Sequence, residues 1–206
     1  MKILIAVPCL DMMHTEFVES FMNIHKPDDS AFVFVRNSLT YNSRNLIAQK
    51  AIEHEFDRVM WFDSDMVIPY EAIDTLSYDL DRGRDFVTGL YFMRTKPTKP
   101  VLYSKVVWNV KKDGLVETGA ESYMEYPEGI FEIAGSGFGC VMTSVDLLKK
   151  VVDEYGSPFT PLMGIGEDLA FCWRVAKMGM KMYCDSRVKC GHIGTEHFDE
   201  DMFLTQ

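Results

Sequence analysis

A chain of 206 residues, 47% hydrophobic and 25% charged, is long enough for one α/β domain with a full core and short for two, and its composition argues against disorder. The formal net charge of −10 argues against a nucleic-acid partner, because affinity for a phosphate backbone rests on Lys and Arg displacing counterions. An acidic protein that handles a small phosphorylated ligand needs a local source of positive charge.

In chain order, residues 2–7 read as a buried strand, and residues 14–25 as an amphipathic helix with Phe17, Val18, Phe21, Met22 and Ile24 on its apolar face. Residues 31–35 form a second strand. Residues 43–55 form a helix whose apolar face carries Leu46, Ile47, Ala51 and Ile52. Residues 58–62 are the third strand, Pro69 sits near the start of a helix running to Leu80, and residues 85–92 are the next strand. This alternation predicts a mostly parallel central sheet with helices on both faces.

After Arg94 the texture changes. Pro97 and Pro100 mark a loop, and residues 101–126 alternate apolar and polar around a Lys112-Asp113-Gly114 turn, which predicts a small antiparallel sub-sheet. Short strands follow at 130–134 and 140–143, around the Gly-Ser-Gly-Phe-Gly loop of residues 135–139. Helices are expected at 145–154 and 167–178, the second with Gly179 as C-cap, and then a strand at 181–184. Residues 189–206 read as an acidic, partly loose tail. One domain over 1–206 is expected, in two sub-regions, 1–95 and 96–206.

Five cysteines, an odd number with no CxxC spacing, predict buried free thiols and a reducing, cytoplasmic setting. The irregular spacing of Cys184, Cys190 and His192 argues against zinc. The N-terminal run reads as a core strand rather than a signal peptide, and no segment reaches the ~20 apolar residues of a transmembrane span.

The chemistry concentrates in a few places. Asp63 and Asp65 flank Ser64 at the end of the third strand, so an extended chain turns both carboxylates one way, and such a pair repels unless a cation sits there. Mg2+ or Mn2+, with positions left open for phosphate, answers that need, while an acidic turn after a buried strand is the plainer alternative. Glu167 and Asp168 begin a helix, where the dipole favours negative charge; the loop before them, with two prolines and a glycine, reads as presenting them to a cleft. His192, between Gly191 and Gly194, suits a further metal ligand and favours Mn2+. The 135–139 loop lacks a following Gly-Lys-Ser/Thr, so it is no Walker-type loop.

Taken in order, these features resemble the nucleotide-sugar glycosyltransferases of the GT-A fold, family 2-like, over nearly the whole chain. The features are the strand ending in Pro8, Arg44 in Thr-Tyr-Asn-Ser-Arg-Asn, the DxD motif as Asp63-Ser64-Asp65, the 135–139 loop, Gly166-Glu167-Asp168, and His192. The resemblance implies the GT-A fold, with 1–95 as a nucleotide-binding half and 96–206 as an acceptor and catalytic half, and a metal-dependent transfer of a sugar, by default from a UDP-sugar, to a hydroxyl of a glycan or similar acceptor. It implies metal ligation by Asp65 and His192, with Asp63 on the ribose or the same ion. Pro8 would line the nucleoside pocket, with Arg44 near the base or diphosphate, Gly137 and its loop beside the sugar, and Glu167 on a sugar hydroxyl. Asp168 matches the catalytic base of inverting members. Two alternatives remain at this point: a nucleotidyltransferase, against which the absence of a basic glycine-rich N-terminal loop counts, and a non-catalytic nucleotide-sugar-binding module.

Overall fold

The computed structural model describes residues 1–194 and 197–205. Strand β1 (Ile3–Pro8) leads into helix α1 (Thr15–Asn23), strand β2 (Ser30–Val35), helix α2 (Thr40–Glu53) and strand β3 (Arg58–Phe62). A two-residue strand β4 (Met66–Val67) precedes helix α3 (Ala72–Asp81) and strand β5 (Phe86–Leu90). Then come β6 (Leu102–Val110), β7 (Val116–Ser122), β8 (Ile130–Ile133), β9 (Gly135–Ser136) and β10 (Cys140–Ser144). Helices α4 (Val145–Tyr155) and α5 (Glu167–Lys177) are followed by β11 (Met182–Lys189), β12 (Gly191–Ile193), β13 (His197–Phe198) and the short helix α6 (Glu200–Leu204).

Seven strands form the central sheet in the order β2-β1-β3-β10-β5-β11-β8. β1 is parallel to β2 and β3, and β11 is parallel to β5. β10 is antiparallel to both β3 and β5, which makes those two run alike, and β8 is antiparallel on the edge. The sheet is therefore mostly parallel in strand direction, as the alternation predicts. The reversed β10 comes from the second half of the chain, so strands of both halves interleave in one sheet.

β1 and β5 are buried along their whole length, with Thr88 the one polar side chain between them, because helices cover both faces of the sheet. One face packs Ile3, Ile5, Val7, Met60 and Phe62 against Phe17 of α1 and Ile73 and Leu76 of α3. The other buries Trp61, Phe86, Phe138, Phe159 and Phe171 under α2, α4 and α5, with Phe159 stacked on Phe171 at 4.8 Å. Ser144 caps α4 by accepting from the Leu147 N–H at 3.0 Å, and Gly156 ends it at φ 73°, a left-handed conformation that glycine adopts without a Cβ clash.

The 101–126 region is the predicted hairpin, β6 against β7, extended by β9. Residues 191–193 of the expected partly loose tail are a paired strand. β12 pairs with β4 and β13, and the Ile193 N–H donates to the Asp65 carbonyl at 2.7 Å, so the segment is tied to the DxD turn rather than loose. All five cysteines are free and buried. No described helix is long and apolar enough to cross a membrane.

Candidate functional site

A cleft of about 410 Å3 opens at the C-terminal ends of β1 and β3. In open α/β sheets ligands bind at such strand ends, outside the sheet. Pro8, Cys9 and Leu10 continue from β1 to form one wall. Thr40, Ser43 and Arg44 form another; their spacing of three and four residues places them on one side of the first turn of α2. Asp63, Ser64 and Asp65 leave β3, Arg94 enters from the segment after β5, and Glu167 and Asp168 come from the start of α5.

The two DxD carboxylates line this cleft but do not share a partner. The strand ends at Phe62 and residues 63–65 turn into β4, so the strict alternation expected of an extended chain does not hold and Ser64 also lines the cleft. Asp63 Oδ1 accepts from Arg44 Nη2 at 2.7 Å. Asp65 Oδ2 lies 2.9 Å from Arg94 Nη1 and 3.6 Å from His192 Nε2. His192 reaches Asp65 because β12 pairs with β4, placing His192 opposite Met66.

Arg44 is the organising cation. It is 2% exposed, donates from Nη1 to Glu167 Oε1 at 2.8 Å, and rests its guanidinium on the Phe138 ring at 5.1 Å. Burial alone would disfavour its charge, but Asp63, Glu167 and Asp168 outweigh that and hold it protonated. One guanidinium thus joins the DxD turn to the start of α5. The loop before α5 is anchored as well: Arg174 donates to the Pro158 and Thr160 carbonyls at 2.9 and 2.6 Å, and the Phe159 N–H donates to Asn45 Oδ1 at 2.8 Å.

Asp168 faces the cleft with its Oδ1 accepting from the Leu169 N–H at 2.7 Å. Burial pushes its carboxyl above the usual range; Arg44 opposes this, while Glu167 and Asp63 add to it. Such a carboxylate is more basic than a free one, the property a proton acceptor needs.

The Asp65–His192 pair bears on metal binding. His192 Nδ1 lies 2.8 Å from the Phe92 carbonyl, which can only accept, so Nδ1 carries the proton of that bond. In the neutral ring Nε2 then points a lone pair toward Asp65, an arrangement suited to a shared cation, with the outer hydrogen bond fixing the ring. Among the described residues no three His, Cys, Asp or Glu side chains converge to form a complete metal site. Mg2+ and Mn2+ tolerate such sparse protein ligation, with substrate phosphate and water completing the shell. Asp63, expected as a metal ligand, is engaged by Arg44. Burial works to raise the Asp65 pKa, yet the His192 ring when protonated, donating from Nε2, and Arg94 outweigh it and hold that carboxylate below its usual range.

Gly137 does not line the cleft. It is buried against Tyr91, where a Cβ would stand 2.1 Å from the phenol oxygen, and the Gly139 N–H donates to that oxygen at 3.1 Å. The glycines of residues 137 and 139 are therefore required by the close approach of Tyr91. Cys184 and Cys190 are buried, and the His192 ring faces Asp65 and Phe92 instead. Sequence reasoning missed Arg94 and Tyr91. Arg94 lies just past the strand predicted over 85–92, which was the available signal for it; Tyr91 lies inside that predicted strand and gave none.

No family model matches the chain, and no curated protein matches it in sequence. Among solved structures it is similar to the crystal structure of A197 from STIV, with a TM-score of 0.73 and 19% identity over 98% of this chain and 92% of that one. That likeness establishes the shared fold.

Proposed function

We propose that this chain is a metal-dependent glycosyltransferase of the GT-A type that moves a sugar from a nucleotide-diphosphate donor, UDP-linked by default, to a hydroxyl of a glycan or similar acceptor. The observation that carries the reading is the convergence in one cleft of Asp65, backed by His192 at 3.6 Å, with Asp168 and with Asp63 and Glu167 bridged by Arg44. If all are ionised, the cleft sets four carboxylates (Asp63, Asp65, Glu167 and Asp168) against the guanidiniums of Arg44 and Arg94. That excess of negative charge repels a diphosphate, so a divalent cation is needed to admit one.

Asp65 and His192 would hold Mn2+ or Mg2+, which when bound supplies Lewis-acid stabilisation of the departing diphosphate. Pro8, Cys9 and Leu10 provide a wall for the nucleoside. Arg44 fixes Asp63 for the ribose and Glu167 for a sugar hydroxyl. Breaking the sugar–phosphate bond builds positive charge at the anomeric carbon while the acceptor oxygen attacks. Asp168, held basic by burial, accepts the acceptor's proton in an inverting transfer. A reducing, cytoplasmic setting suits the five free thiols.

The direct test is release of UDP from a panel of UDP-sugars with and without Mn2+. Metal-dependent release supports the transferase. Tight nucleotide binding without release under any donor and acceptor would identify a binding module instead.

A further inference from the structure

β2 forms one edge of the central sheet, and among the described residues nothing pairs with its outer side. The Ile3 N–H donates to the Asp29 carbonyl at 3.3 Å and the Cys9 N–H to the Val35 carbonyl at 2.9 Å. In a parallel ladder alternate residues turn their backbone groups to the neighbour, so Ala31, Val33 and Val35 serve β1 while Phe32 and Phe34 direct N–H and C=O outward; Ser30 turns its C=O outward, its N–H donating to the Pro27 carbonyl at 2.9 Å. Exposed edges are normally blunted by lysine, proline, a bulge or an inward charge. Ser30–Val35 has none of these, and its register with β1 is unbroken. Phe32 and Phe34 are 47% and 42% exposed, each edge-on to Phe21 of α1 at 5.9 and 5.7 Å.

We propose that β2 pairs antiparallel with β2 of a second copy of this chain, about a two-fold axis normal to the sheet. Such an axis keeps each face of the sheet continuous, so opposed residues must come from the same face. Setting Phe32 opposite Phe32 meets that condition, exchanges both N–H···O bonds between the two Phe32 residues, and places Ser30 opposite Phe34, whose N–H can donate to the Ser30 carbonyl. The same register brings Asp28, in the turn before β2, opposite Arg36, just past its end. Symmetry repeats the contact at the other end. Both residues are exposed, and neither has an ion-pair partner within its own chain among the described residues. A strand complementary to itself in hydrogen bonding, apolar surface and charge selects another copy of itself over an unrelated partner. The two sheets become one, with the Phe21, Phe32 and Phe34 clusters joined across the axis. Because the strands oppose, the two clefts open at opposite ends and both stay accessible.

Sedimentation or light scattering of the full chain across a concentration series tests this. Wild type is expected at twice the monomer mass. Arg36→Asp, a change at an exposed side chain that leaves the fold intact by circular dichroism, sets like charges against Asp28 and weakens the dimer by about tenfold or more. Adding Asp28→Arg to that variant restores dimerisation. In the hydrogen-bonded pair the two residues at position 32 stand about 5.5 Å apart at Cα, within reach of a disulfide, so Phe32→Cys should cross-link to itself under oxidation. A monomer at every concentration, a dimer indifferent to Arg36→Asp, failure of the charge swap to rescue, or failure of Phe32→Cys to cross-link would each overturn the proposal.

Discussion

Arg44 and Asp63 meet at 2.7 Å where a helix that packs under the sheet reaches the turn that leaves its third strand. The guanidinium is almost fully buried, and its Nε has no hydrogen-bond partner among the described residues, so its position is set by the two carboxylates it bridges and by Phe138 beneath it. Arg44→Ala would leave Asp63, Glu167 and Asp168 without their common counter-charge. The carboxylates keep some solvent contact, so the expected loss lies near the low end for a broken buried pair, about 3 kcal/mol, read by urea denaturation. Arg44→Lys should lose less but fail to bridge both partners, since an ammonium lacks the planar fork. Equal stability of Arg44→Ala and wild type would contradict the organising role.

Asp168→Asn removes the proposed proton acceptor while preserving shape. Turnover should fall by about 10²–10⁴-fold, with the dissociation constant for donor plus metal essentially unchanged. Calorimetry alongside steady-state rates separates the two. Donor affinity falling in step with turnover would assign Asp168 to binding instead.

Arg94 occupies the side of Asp65 that a cation would use, and it also donates to the Ile193 carbonyl at 3.1 Å. Removing its positive charge with Arg94→Ala should tighten binding of Mn2+ alone, because a competing cation leaves the site. His192→Ala should weaken that binding by at least about tenfold. Electron paramagnetic resonance of free Mn2+ reports both. An unchanged affinity in the two variants would remove Asp65 and His192 from the metal's coordination.

A second buried carboxyl pair sits away from the cleft, where Asp79 of α3 meets Asp185 of β11 beside Arg187 and Arg84. Burial first, and then Asp185, push Asp79 up to about 6 from an ordinary 3.8. An acid raised in the folded state binds its proton more tightly there, so this contribution favours folding at low pH and fades as pH climbs from about 4 to about 6. Asp185 is shifted below 3.8, chiefly because Arg187 outweighs burial, so its own contribution is already complete in that window. Asp79→Asn should therefore gain stability relative to wild type over that interval and hold a constant advantage above it. Parallel stability curves for the two proteins would contradict the raised Asp79.

Much of this architecture could be read from residue order. The apolar runs of β1, β3 and β5, and the helical periodicity between them, place five cleft residues (Pro8, Arg44, Asp63, Asp65 and Arg94) at or near strand ends or a helix start before any coordinates. The Lys112-Asp113-Gly114 turn likewise marks the β6–β7 hairpin, with Gly114 at φ 83°. What pattern could not show was long-range pairing. The Arg44–Glu167 contact spans 123 residues, and no local periodicity encodes it. Residues 191–193 read as part of a partly loose tail because so short a strand carries little hydrophobic signal. Their order comes from backbone bonds to β4, and those bonds bring His192 to Asp65. The 135–139 loop looked like a ligand loop because glycine permits close approach of any group, and here the group is Tyr91.

The most direct measurement is calorimetric titration of UDP into the full chain with Mn2+ present and then chelated, for wild type and Asp65→Asn. Binding by wild type only in the presence of Mn2+, and its loss in Asp65→Asn, is the expected result. UDP binding of equal strength with and without metal, or undiminished in Asp65→Asn, would contradict a cation-bridged diphosphate in this cleft.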